Sequence, residues 1–244
     1  MEAFRYDPDA TDPIRSDMRE AYQRAWTRIA NPGTWLTGFE RVAVADETRR
    51  AKHCAICLER KKALSPHSLK GAHDHAGVLS EAMVDEIHRI TTDASRLSES
   101  WYQSLLDAGL TPESYVEALG VAVCVISIDR FHHAMNLPLE PLPTPRPGAP
   151  TRIRPDGIVE GEAWVPMQRA DQVASDSGLP GRKAPFVIRA LSLVPEEVRA
   201  WKDLSAAQYL AQDEMMSFKK VRELSRSQIE LVAGRVSALN ECFY

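Results

Sequence analysis

Cys54-Ala55-Ile56-Cys57 sets two thiols three residues apart. That spacing suits a reversible disulfide or two ligands to one soft metal ion. The chain has four cysteines in 244 residues, Cys54, Cys57, Cys124 and Cys242. Four are too few to staple a chain of this length, so a structural disulfide is not expected. Cys124 lies inside the apolar run Val121 to Ile126 and reads as a small buried hydrophobe. Two uses of the CxxC pair stay open beside redox chemistry. His73-Asp74-His75 downstream would complete a four-ligand zinc set with the two cysteines, though the spacing matches no common finger. The pair can also be inert and packed between helices. Adjacent His53, if protonated, would favour the Cys54 thiolate. His132 and His133 read as core or subunit-contact residues.

A second concentration of chemistry lies at the carboxyl end. Glu230 precedes Cys242 by twelve residues (242 − 230). On one straight helix that is ~18 Å, too far for a carboxylate to assist a thiol. A turn at Leu239-Asn240 would fold them together. Asn240 would then cap a following helix and place Cys242 in its first turn, where free amides favour thiolate.

This stretch resembles the active-site segment of the alkylhydroperoxidase D and carboxymuconolactone decarboxylase-like proteins. Their motif is Glu, eleven residues, then Cys-x-x-Cys-x-x-x-His, often with Ser-Ala-Leu-Asn ahead of the first cysteine. Glu230, Ser237-Ala238-Leu239-Asn240 and Cys242 match it, while the second cysteine and the histidine would fall at positions 245 and 249, beyond Tyr244. Some relatives carry selenocysteine, so the expectation is a reading Cys-Phe-Tyr-Sec with an in-frame UGA after Tyr244, which the nucleotide sequence decides. The stretch from Gly38 to Lys61 resembles a diverged copy of the same element. There Glu40 precedes Cys54 by fourteen residues (54 − 40), Glu47 by seven (54 − 47), and Lys61 stands where the family has histidine.

The resemblance implies a peroxide-reducing or thiol–disulfide oxidoreductase in which one sulfur attacks and the other resolves the sulfenic acid. It names Cys242 and Glu230 as catalytic residues, with Cys54 and Cys57 as a second dithiol. Peroxide or a disulfide would be substrate and an external dithiol the reductant. No organic cofactor and no metal are expected, and self-association into a homo-oligomer is. The rival readings are a catalytically degenerate helical interaction protein, a zinc-binding protein and a decarboxylase-like enzyme.

The elements that must position these residues are helices. Hydrophobic periodicity predicts them from about Asp17 to Ala30 and from Thr37 toward His53, then from Ser80, from Leu97 to Ala108, and from Thr111 to about Met135. Helical patterning resumes at Pro185, with Val187, Leu191 and Val194 on one face, and again at Pro195 and Ser225, where Gln228 completes a capping box. A short strand is expected near Ala163-Trp164-Val165. The fold class is all-α, with the antiparallel helical arrangement of the resembled family. Its expected organisation is a lead-in over 1–34, a diverged repeat over 35–145, a Pro-rich linker over 146–182 and the start of a second repeat over 183–244. A net charge of −4 argues against nucleic-acid binding. No apolar run is long enough to cross a membrane and no secretory signal opens the chain, so the expected location is cytoplasmic.

Overall fold

The computed structural model describes residues 3–7, 13–176, 184–211, 214–215 and 223–239. Its elements are α1 (Ser16–Ala30), α2 (Gly38–Arg50), α3 (Ala55–Lys62), α4 (Glu81–Asp93), α5 (Glu99–Asp107), α6 (Pro112–Ala134), β1 (Ile158–Val159), β2 (Met167–Gln168), α7 (Ala170–Asp176), α8 (Phe186–Arg189), α9 (Pro195–Gln208) and α10 (Arg226–Leu239). The described chain is mostly helical. β1 and β2 form one small antiparallel pair that flanks, rather than contains, the expected strand at 163–165.

The helix starts follow their caps. Thr37 and Glu40 exchange hydrogen bonds as a capping box at the head of α2. Ser80 accepts from the amide of Met83, and Thr111 accepts from that of Ser114 ahead of Pro112. At α10, Ser225 and Gln228 make the predicted box. α1 opens at Ser16, one residue ahead of the expected Asp17, and its cap position, Arg15, makes no side-chain capping hydrogen bond.

α6 is apolar nearly all round, which is the signature of a helix buried on every side. It packs against α2, α4 and α9, and its Val116, Val121, Val125 and Ile128 join residues of α1, α4, α5 and α9 in one core. The core runs from Phe4 to Leu204, so α9 shares it with the helices that precede the proline-rich stretch. Gly120 lets α9 approach closely, since a Cβ there would lie 2.5 Å from a Glu197 carboxylate oxygen. Of the face expected after Pro185, Leu191 and Val194 are buried but Val187 is exposed, because α8 lasts only one turn. Leu137 to Thr151 has no regular structure, as its prolines require.

Most charged groups inside this core are matched; the exception is Glu86 on α4, fully buried with neither oxygen hydrogen-bonded, and burial pushes its carboxyl well above the usual range. Arg41 bridges Glu117, through a very short contact, and Glu197 at 2.8 Å. Arg49 holds Asp129 with two nitrogens at 3.0 and 2.8 Å. His132 is buried against Tyr6 and the carbonyl of Pro138, whereas His133 is exposed. Cys124 is partly buried, and its surroundings push its thiol up to about 12, mainly by desolvation, as suits an inert side chain. Among the described residues no helix is long and apolar enough to cross a membrane.

Candidate metal centre

After α2 a 3-10 turn, Ala51–His53, redirects the chain. Cys54 then adopts an extended conformation as the N-cap residue of α3, and Cys57 lies in that helix's first turn. Both thiols turn inward and are buried, while His53 points to solvent and takes no part. Facing them is α4. Val84, Ile87 and His88 occupy its buried side, so a histidine sits in the apolar stripe. The irregular strand between α3 and α4 brings in His73.

Four buried ligand atoms converge: the sulfurs of Cys54 and Cys57 and the Nδ1 atoms of His73 and His88, all within 4.8 Å of one another. His73 Nδ1 lies 3.6 Å from Cys54 Sγ and 3.4 Å from Cys57 Sγ, and His88 Nδ1 lies 3.4 Å from Cys57 Sγ. Around a tetrahedral zinc ion, sulfur at ~2.3 Å and nitrogen at ~2.0–2.1 Å stand about 3.6 Å apart. These three sulfur–nitrogen separations meet that requirement.

The next ring of contacts fixes which nitrogen faces inward. His73 Nε2 is 2.8 Å from an Asp85 oxygen, and His88 Nε2 is 3.1 Å from a Glu47 oxygen. A carboxylate accepts, so each imidazole holds a proton on Nε2 and turns Nδ1, the nitrogen that would ligate, toward the centre; on His73 a metal ion would have to displace the Nδ1 proton. A carboxylate behind each histidine is the arrangement that orients metal-bound imidazoles. Each carboxylate is itself held. The amide of Ala76 donates to Glu47 at 2.7 Å, and the Trp101 indole donates to Asp85 at 2.6 Å with Arg89 at 3.1 Å. The Asp74 amide donates to Cys54 Sγ at 3.4 Å, while its side chain accepts from the amide of Ala55 at 2.9 Å.

The electrostatics follow from these contacts. Burial alone would raise the Cys54 thiol, but the backbone amides of Asp74 and Cys57 and the His73 ring outweigh it and bring the pKa down. Burial opposes the His73 imidazolium, yet Asp85 and the two sulfurs push it up to about 10. Asp85 is also buried, but His73, Trp101 and Arg89 hold it well below the usual carboxylate range. Burial lowers His88 despite its bond to Glu47, which keeps that ring neutral and its lone pair free.

The other expected site residues fall elsewhere. Glu40 serves the α2 cap, not the thiols; the carboxylate that reaches the pair, through His88, is Glu47. His75 is not a ligand: it pairs with Glu81 at 3.2 Å, and the fourth position belongs to His88. Glu230 is exposed on α10, where a hydrogen bond from Tyr209 and then the pair with Arg226 hold its pKa down. Asn240 and Cys242 lie outside the described residues. Sequence reasoning passed over His88 and Asp85. The available signal was a histidine at a core position of an otherwise apolar α4 stripe.

Compared with known proteins, the chain matches no family model, no curated protein and no solved structure. The family resemblance rests on the motif residues alone.

Proposed function

We propose that this chain is a zinc-binding helical protein, with Cys54, Cys57, His73 and His88 as a closed four-ligand centre. The observation that carries the reading is the pair of buried histidines turned inward by Glu47 and Asp85 onto two buried sulfurs. A dithiol working alone has use for one neighbouring base. A second imidazole with its own carboxylate, at tetrahedral spacing, is what a metal needs. Two thiolates also neutralise a dication, so the filled centre carries no net charge into its buried position. With all four positions supplied by protein and none left for water, the centre is structural rather than catalytic.

The test is elemental analysis of the purified protein beside Cys57→Ser and His88→Ala. The expected result is one zinc per chain in the parent and a loss of most of it in both variants. A parent free of transition metal after expression in zinc-supplemented medium, unable to take up zinc when reduced, overturns the reading.

A second reading is supported by the lowered Cys54 pKa and the chain Cys57–His88–Glu47, which together suit a thiol–disulfide oxidoreductase. It agrees with the family resemblance. Its distinguishing result is catalytic turnover of peroxide with an added dithiol, lost in both Cys54→Ser and Cys57→Ser.

A further inference from the structure

We infer that the metal acts as a local clip, docking residues 54–76 onto α4, and that the rest of the helical body folds without it. This rests on the zinc reading above. Three observations carry it. First, the apolar contacts of this segment form a cluster of their own: Cys54, Ile56 and Cys57 with partly buried Leu69, separate from the main core. Gly71 adds only a close pass over the Ile56 side chain. Leu64 is fully exposed and Leu58 half exposed, and buried Pro66 adds one small ring. Three or four small side chains do not offset the conformational entropy of ordering more than twenty residues.

Second, docking carries a penalty of its own. Arg60 on α3 is buried against α4, yet its Nε and Nη1 have no hydrogen-bond partner. The nearest carboxylate contact is Nη2 to Asp85 Oδ1 at 3.9 Å, beyond hydrogen-bond range. A buried guanidinium with unpaired donors opposes the closed arrangement. Third, apart from the Arg60 and Ala63 carbonyls held by Arg96, a 3.4 Å contact of Arg89 with His67 and the His75–Glu81 pair, the polar contacts that close the segment radiate from the four ligands and their immediate neighbours. They are Asp74 to Cys54 and Ala55, Ala76 to Glu47, and His73 to Asp85. Remove the ion, and the ligand atoms lose the common centre that these bonds surround. The metal supplies the free energy that the apolar contacts lack, as in small zinc modules. The main core owes it nothing, because it draws no residue from α3 or from 63–76.

Hydrogen exchange measured by mass spectrometry on the full chain, zinc-loaded and after chelation under reducing conditions, tests this. Zinc content is determined on the same samples, so an absent metal counts against the zinc reading and not against the clip. With zinc confirmed, chelation is expected to speed exchange of peptides covering 55–62 and 69–76 by about tenfold or more. Peptides from α1, α6 and α9 are expected to keep their protection. Arg60→Met, which removes the unpaired guanidinium, is expected to restore part of the lost protection in the chelated protein. Uniform loss of protection across the chain overturns the proposal, as does unchanged exchange in 55–76. An Arg60→Met protein whose chelated segment exchanges as fast as the chelated parent overturns the role given to Arg60.

Discussion

The two halves of α4 face two kinds of interior. On one side Met83 and Ile87 enter a core shared by six helices, in which most buried charges are closed by direct pairs such as Arg41 with Glu117 and Glu197. On the other side His88 and Asp85 face α3 through sulfur, imidazole and carboxylate, with Ile56 and Leu69 as the main hydrocarbon. The first interior is held by area removed from water, the second by a few directional bonds around a point. The difference teaches where each will fail. The core loses stability in increments as groups are trimmed, whereas the centre is lost as a unit when one ligand goes.

The largest effect is expected from Cys57→Ala. Structural zinc contributes on the order of 10 kcal/mol of apparent binding free energy, and a three-ligand remnant forfeits most of it. Zinc should dissociate during dialysis against a weak chelator, while far-UV circular dichroism stays close to the parent's because α3 is short. Next is Arg41→Met in the core. It leaves two buried glutamates facing each other, and burial already raises the Glu117 pKa. Denaturant unfolding should show a loss of about 3–5 kcal/mol with zinc still bound at one per chain. If Arg41→Met also strips the zinc, the two interiors are not separable and the comparison breaks.

Glu47→Gln probes the ring around the ligands. It keeps the shape but weakens the acceptor behind His88, so competition with a chelator should show zinc affinity lower by roughly 10–100-fold. Thr37→Ala is the smallest, removing the α2 cap on the core side at a cost of ~1 kcal/mol with no change in zinc affinity. Equal effects of Glu47→Gln and Thr37→Ala on metal binding would reduce the centre to a passive part of the core.

Much of the core was legible in the sequence because periodicity and caps are local. Thr37, Ser80, Thr111 before Pro112 and Ser225 with Gln228 announced four helix starts to within a residue. α8 was overextended, since a face of Val187, Leu191 and Val194 says nothing about where a one-turn helix stops. The centre was half legible. The spacing of Cys54 and Cys57 declares a paired function, and His73 follows closely enough to be weighed as a ligand. His88 was not found, because it comes from the next helix and meets the thiols only through the packing of α3 on α4. His75, two residues from His73, looked the better partner, but it turns out to Glu81. The resemblance at Glu230 depends on residues beyond those described and gains no neighbour here except Arg226 and Tyr209.

The most direct measurement is zinc-edge X-ray absorption on the purified, reduced protein. The account predicts a four-coordinate ion with two sulfurs at ~2.3 Å and two imidazole nitrogens at ~2.0–2.1 Å, and a shell with one imidazole fewer in His88→Ala. A shell dominated by oxygen, or one that His88→Ala leaves unchanged, would contradict it.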